Sequence, residues 1–143
     1  MTNRSAPDST IVPILVYEDV AEAIEWLCRV FGFAERLRAT RGGVVIHAQL
    51  IFGDGAVIIG RQGGPFRAPQ SDDVSAYVHV TVDDVTRHFE HSKQCGARIV
   101  EAPQDMPFGE RQYTAKDCAG HRWTFSEHIA DVAPKSWGAT VRS

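Results

Sequence analysis

The sequence is poor in cysteine and has no long apolar run. Its three cysteines, Cys28, Cys95 and Cys118, are odd in number and widely spaced. This spacing argues against a disulfide framework and against a paired-cysteine metal site, and it fits a reducing cytoplasm. No apolar run approaches the roughly 20 residues of a membrane-spanning helix. The first nine residues lack the apolar segment of a secretory signal, so a cytoplasmic protein is expected.

The sequence also carries little net charge. The formal net charge is −3, whereas nucleic-acid binding requires a clustered basic face. An apolar share of 43% and a charged share of 23% over 143 residues are ordinary for a soluble globular protein. We therefore expect no nucleic-acid partner and no membrane association.

Two segments of the chain resemble each other at a constant offset. Leu15–Gly32 and Val80–Gly96 each contain a β-like run, an aspartate, a helical pattern and a final glycine. The aspartates, Asp19 and Asp84, are separated by 65 residues (84 − 19). The chain is therefore expected to contain one structural module twice.

Each copy of this module is predicted to have the order βαβββ. An aspartate caps each helix and a glycine ends it. In the first helix Val20, Ile24, Leu27 and Phe31 recur at helical spacing and form a buried stripe. Runs typical of strands, separated by glycine turns, follow each helix. These predicted strands are Ala34–Thr40, Val44–Phe52, Ala56–Arg61, Ala97–Glu101, Arg111–Asp117 and His121–Glu127.

The predicted organisation is one compact domain built from two modules. The first module spans residues 10–62 and the second spans residues 74–130. A linker rich in glycine and proline joins them over residues 63–73. Residues 1–9 are expected to be disordered. Residues 131–143 form a tail, in which Trp137 is expected to pack on its own chain or on a partner.

Four segments add detail to this pattern: PILVYEDVAEAIEWLCRVFGF, HVTVDDVTRHFEHSKQCGA, PFGERQY and DCAGHRW. Together with the tandem βαβββ order, they resemble the glyoxalase/bleomycin-resistance/extradiol-dioxygenase superfamily, which has the vicinal oxygen chelate fold. The resemblance implies an α+β fold in which the two modules form a U-shaped, eight-stranded sheet around a pocket. The helices would lie on the outer face. The resemblance also implies a homodimer.

The resemblance further implies where a metal would bind. Metal enzymes of this superfamily take His, Gln or Glu ligands from the first and last strand of each module. Carried over residue by residue, these positions are Val12, Ile59, Tyr77 and Thr124. Val and Ile offer no ligand atom, and neutral Tyr and Thr are poor ligands. The chain is therefore expected to lack this metal and any other cofactor, as the metal-free bleomycin-resistance-like members do.

Side-chain alternation along the strands assigns candidate residues to the pocket. It places Trp123 and Phe125 under the helices and Thr124 between them on the opposite face. Tyr77 can be read as a core residue or as a ligand contact, and Arg111 as a ligand contact or as the partner of Glu110. No catalytic residue is assigned. The predicted ligand-binding residues are His47, Gln49, Tyr77, His79, Arg111, Tyr113 and Thr124.

The sequence supports three hypotheses about function. In the first, the protein binds a small organic molecule without a metal. In the second, it is a lyase, isomerase or dioxygenase of the same fold. Such an enzyme would use a displaced metal site at His79 and His47, or acid–base catalysis by His79. In the third, it is a structural module whose cavity is filled by side chains such as Tyr77.

Overall fold

The computed structural model describes residues 5–142 of the chain. These residues divide into two compact units. The first unit contains the described residues up to Asp73 together with Cys118–Gly120. The second contains Val74–Asp117 and the described residues from His121 onward. The expectation of disorder for residues 1–9 falls partly on residues 1–4, which lie outside the described range.

Each unit contains one four-stranded mixed sheet. The strands are β1 (Ile14–Tyr17), β2 (Ala34–Arg41), β3 (Val44–Phe52), β4 (Gly55–Arg61), β5 (Val78–Thr81), β6 (Arg98–Asp105), β7 (Glu110–Lys116) and β8 (Arg122–His128). The strand order is β1-β4-β3-β2 in the first sheet and β5-β8-β7-β6 in the second. In both, the first and last strands of the module pair in parallel, and the other pairs are antiparallel. The predicted α+β class and the tandem βαβββ order are confirmed.

The predicted aspartate caps are present at the start of both helices. Helices α1 (Val20–Trp26) and α2 (Val85–Gln94) follow Asp19 and Asp84. Each carboxylate accepts a hydrogen bond from the backbone N–H three residues further on, at 3.0 Å and 3.1 Å respectively. Such caps satisfy backbone donors that have no partner inside the helix. Within residues 5–142 no helix is both long enough and apolar enough to cross a membrane.

Helix α1 buries the apolar stripe predicted for it. Val20, Ile24, Leu27 and Phe31 are all buried. The helix continues as a π-helical turn and ends at Gly32, whose φ of 88° lies in the left-handed region that glycine adopts without strain. The buried apolar stripe determines which side of this helix packs on the first sheet, and the residues at its two ends determine where it begins and ends.

Each sheet has a helix face, covered by the helix of its own module, and an open face on the other side. Residues paired in register lie on the same face of a sheet, and successive residues alternate between faces. In the second sheet the buried residues Trp123 and Phe125 lie on the helix face. The open face there carries a row formed by His79, Thr124 and Thr114. This row positions the candidate site.

Candidate functional site

A cavity of about 440 Å³ lies on the open face of the second sheet. Its volume falls in the range of pockets that hold small organic molecules. The strand residues around it come from β6, β7 and β8 and from the start of β5. The lining residues are Tyr77, His79, Glu101, Gln104, Met106, Phe108, Gln112, Thr114, Arg122 and Thr124.

The floor of the cavity includes several uncharged polar side chains, with the charged residues Arg122 on β8 and Glu101 on β6 beside them. The hydroxyl oxygens of Thr114 and Thr124 lie 2.9 Å apart and share a hydrogen bond. The amide nitrogen of Gln112 donates to the hydroxyl oxygen of Ser126 at 3.2 Å. Antiparallel pairing of β7 with β8 brings these four side chains to one face. These side chains can give and accept hydrogen bonds, and Arg122 and Glu101 add one charge of each sign to the lining.

Apolar side chains form one wall of the cavity. Met106 and Phe108 come from the end of β6 and the connection to β7. The ring of Phe108 contacts the ring of Trp137, with 5.4 Å between the ring centroids. Trp137 thus packs on its own chain, although 44% of its surface remains exposed. A molecule bound here would meet an apolar wall beside a polar floor.

A hydrogen-bonded group of charged residues lies next to the floor on the same sheet. Glu110 accepts from the hydroxyl of Ser126 at 3.0 Å and pairs with Nδ1 of His128 at 2.6 Å. The other ring nitrogen of His128 lies 2.7 Å from a carboxylate oxygen of Asp131. The hydrogen bond to Glu110, and after it the hydrogen bond to Asp131, raises the pKa of His128. The hydrogen bond from His128 in turn lowers the pKa of Glu110.

Three of the predicted ligand-binding residues line this cavity. Tyr77, His79 and Thr124 meet there, and Tyr77 is 67% exposed rather than buried in the core. The sequence interpretation missed Gln112 and Thr114. Their polar character was visible, but on β7 it alternates with other polar residues, so it did not mark a face.

The prediction that Arg111 and Tyr113 line the cavity is wrong, because both lie on the other face of β7. Tyr113 pairs in register with Phe125 on the helix face and is 1% exposed. Its hydroxyl donates to Ser92 on α2 at 2.9 Å, which makes burial of a tyrosine possible. Arg111 forms an ion pair with Asp105 at 2.6 Å rather than with Glu110. The observed register of β7 differs by one residue from the predicted one, and this difference places both side chains on the opposite face of the sheet.

The position carried over to Ile59 is also wrong by one residue. Ile14 pairs with Ile58 in the first sheet, whereas His79 pairs with Thr124 in the second. Ile58, not Ile59, is therefore the counterpart of Thr124, and Ile59 is buried on the helix face. The second module has one more residue between its turn glycine and this strand position. Isoleucine at either position offers no metal ligand.

His47 and Gln49 lie in the first unit, on the open face of β3. Gln49 is 1% exposed. Its amide oxygen accepts from Arg36, and its amide nitrogen donates to the backbone carbonyl of Ser5. His47 is half-buried, with its Nε2 atom 3.5 Å from the Gln49 amide nitrogen. A ligand contact by either residue stays a prediction.

The residues present do not fit the metal that the superfamily's enzymes use. No three His, Cys, Asp or Glu side chains between residues 5 and 142 are grouped so that they could hold a metal ion. At the carried-over positions, Tyr77 and Thr124 offer neutral oxygen atoms, and Val12 and Ile58 offer none. The displaced site at His79 and His47 stays a prediction.

A smaller cavity, of about 300 Å³, lies in the first unit beside the start of α1. Glu18, Asp19 and Glu22 line it, with Cys118 in the turn that belongs to this unit. Asp19 caps α1, and Glu18 lies 3.5 Å from the Gln62 amide nitrogen. These carboxylates are thus partly used within the chain.

A family model described as the Glyoxalase/Bleomycin resistance protein/Dioxygenase superfamily matches residues 10–125. The fold and the match together define the class: the chain belongs to this superfamily. The crystal structure of TioX from Micromonospora sp. ML1 is similar, with a TM-score of 0.70 and 39% sequence identity. That alignment covers 87% of this chain and 100% of TioX.

Two further proteins are similar to this chain, one in its fold and the other in its sequence. A glyoxalase/bleomycin resistance protein/dioxygenase from Alicyclobacillus acidocaldarius has a TM-score of 0.69 at 12% identity, over 89% of this chain and 96% of that one. This likeness concerns the fold alone. The uncharacterized protein Mb0911c of Mycobacterium bovis is 29% identical over 132 residues, 87% of each chain.

The donor set predicts that the purified protein holds almost no transition metal. Protein prepared without a chelator or a metal-binding tag should contain less than about a tenth of an equivalent, because structural and catalytic sites bind close to one ion each. Elemental analysis by plasma mass spectrometry measures this. Close to one equivalent, lost in His79→Ala, would contradict the prediction and indicate a displaced site.

The His128 group predicts a pH-dependent contribution to stability. The pKa of His128 is raised from 6.5, so its contribution is complete below pH 6.5 and is lost as pH rises through the raised value. The pKa of Glu110 is lowered from 4.5, so its contribution is complete above pH 4.5 and is lost as pH falls through the lowered value. The difference in free energy of unfolding between wild type and His128→Asn, measured by urea denaturation, should therefore be largest between pH 4.5 and pH 6.5.

The matched control for this pH series is His91→Asn on α2, where the ring nitrogen lies 3.6 Å from the Cys95 sulfur. Its difference from wild type should vary less over the same pH range. A His128→Asn difference that is independent of pH would show that the ion pairs do not contribute.

Proposed function

We propose that this protein binds a small organic molecule in the cavity of its second unit without a metal ion. The observation that carries the proposal is the composition of that cavity. Gln112, Thr114 and Thr124 offer hydrogen bonds, Glu101 and Arg122 add one charge of each sign, and one wall is apolar at Met106 and Phe108. Small-molecule sites combine apolar walls with a few polar groups that fix orientation.

The cavity favours an amphipathic ligand. One side of the molecule would pack against Met106 and Phe108, and the other would exchange hydrogen bonds with the threonine hydroxyls. The exposed ring of Tyr77 adds an aromatic surface beside His79. The volume of about 440 Å³ limits the bound part of the ligand to the size of a small drug-like molecule.

We place the protein among the metal-free, bleomycin-resistance-like members of its superfamily. The carried-over positions support this subtype because they hold no good metal ligand. The superfamily name makes bleomycin a reasonable first probe. The physiological ligand would carry apolar groups and hydrogen-bonding groups that match those of the cavity.

Catalysis by His79 is the second candidate. His79 lines the cavity, and a histidine near neutral pH can act as a general base. A chemical change in the bound molecule, absent with His79→Gln, would favour an enzyme over a binding protein. Unchanged ligand recovered after long incubation would favour binding alone.

We further propose that the protein is a cytoplasmic homodimer. Exposed apolar side chains, among them Ile11, Ile14 and Tyr77, offer surface that a partner could cover. Light scattering on a sizing column should give twice the chain mass of 15.8 kDa. A mass equal to one chain at micromolar concentration would contradict the dimer.

The binding proposal predicts that Tyr77→Ala weakens ligand affinity. Bleomycin and a panel of amphipathic aromatic molecules should be titrated against wild type by calorimetry. For a molecule that binds, Tyr77→Ala should raise Kd roughly tenfold, which corresponds to about 1.4 kcal/mol. Tyr77 is largely exposed, so its removal should leave the fold intact.

The matched control is Phe66→Ala in the first unit, because Phe66 is a 64% exposed aromatic residue that does not line the cavity. It should leave Kd unchanged. Equal losses in Tyr77→Ala and Phe66→Ala would place the ligand elsewhere. No binding by any member of the panel would leave the cavity without the assigned role.

A further inference from the structure

The segment before the first module is held against the first unit. Pro7 is buried, although it lies outside every helix and strand. The hydroxyl of Ser9 donates to the backbone carbonyl of Asp54 at 3.1 Å. The backbone carbonyl of Ser5 accepts from the amide of Gln49. Both ends of residues 5–9 are thus tied to strands or turns of the first sheet.

Gln49 is the residue of the first sheet whose side chain bonds to Ser5 of this segment. It lies on the open face of β3, opposite Ile58 of β4. Its side chain is almost fully buried, and its amide bonds to Arg36 and to Ser5. A buried amide needs such partners, since an unpaired buried polar group is costly. A free open face would instead leave Gln49 in water.

The second sheet shows the same position without a cover. The row Ile14, Ile58 and Gln49 in the first sheet occupies the strand positions of His79, Thr124 and Thr114 in the second. In the second sheet this row lines the open cavity. The two faces therefore share a register and differ in what lies on them.

We infer that the part of the open face around Gln49 is a binding surface for a peptide backbone, and that its occupant is residues 5–9 of the same chain. Gln49 recognises the backbone carbonyl of Ser5, and the buried Pro7 lies in the chain between Ser5 and Ser9, the two residues that are tied down. A backbone carbonyl contact gives affinity that does not depend on the residue type at that position.

The test is a double-mutant cycle between the segment and Gln49. Four proteins are compared by urea denaturation: the full chain, a variant without residues 1–9, Gln49→Met, and the combination. Methionine keeps the length of the side chain and removes the amide. Because the segment and Gln49 contact each other, their effects should not add. Gln49→Met should lower the urea midpoint less than half as much in the truncated chain as in the full chain.

Gln94→Met, at the exposed end of α2, is the matched control and should give the same shift in both backgrounds. If the truncated chain does not fold, Pro7→Asp in the full chain replaces it, because a charge at this buried place displaces the segment. Equal Gln49→Met shifts in both backgrounds would overturn the inference. A coupling that increases with protein concentration would also overturn it, since the segment would then come from a second copy.

Discussion

The register of the parallel pair β5–β8 is the constraint on which the site depends. Val78 lies beside Trp123, and His79 lies beside Thr124. Burial of Trp123 on the helix face therefore forces His79 and Thr124 onto the open face. The antiparallel partner β7 then adds Thr114 to the same row. Packing on one side of the sheet thus decides the chemistry on the other.

The proposed binding function rests on the side chains that this register brings together. A metal site needs several donors that converge from different strands. The positions that the resemblance assigns to metal ligands hold Val12, Ile58, Tyr77 and Thr124, and none of these is a good ligand. The hydroxyls of Thr114 and Thr124 share one hydrogen bond, in which one donates and the other accepts. In the first sheet, the buried amide of Gln49 is satisfied instead by the chain's own N-terminal segment.

The fold was predictable because its signals are local and repeated. The aspartate caps, the stripe from Val20 to Phe31 and the turn glycines each agree with the structure. The faces of β7 were not predictable from that strand alone, because polar residues occupy both. Its pairing with β8 places Tyr113 beside Phe125. Ile59 was misassigned because a constant offset between the modules does not account for the one extra residue that precedes Thr124 in the second module. The cover over Gln49 depends on a contact 44 residues away in the chain, which no local pattern indicates.

Amide chemical shifts can show where a small molecule binds on this protein. Nitrogen-15-labelled protein would be titrated with the first molecule found to bind, and shifts would be assigned residue by residue. If the ligand binds in the cavity of the second unit, the largest changes are expected at the amides of His79, Gln112, Thr114 and Thr124, which lie around it. Changes concentrated instead around Glu18 and Glu22, in the smaller cavity of the first unit, would contradict it.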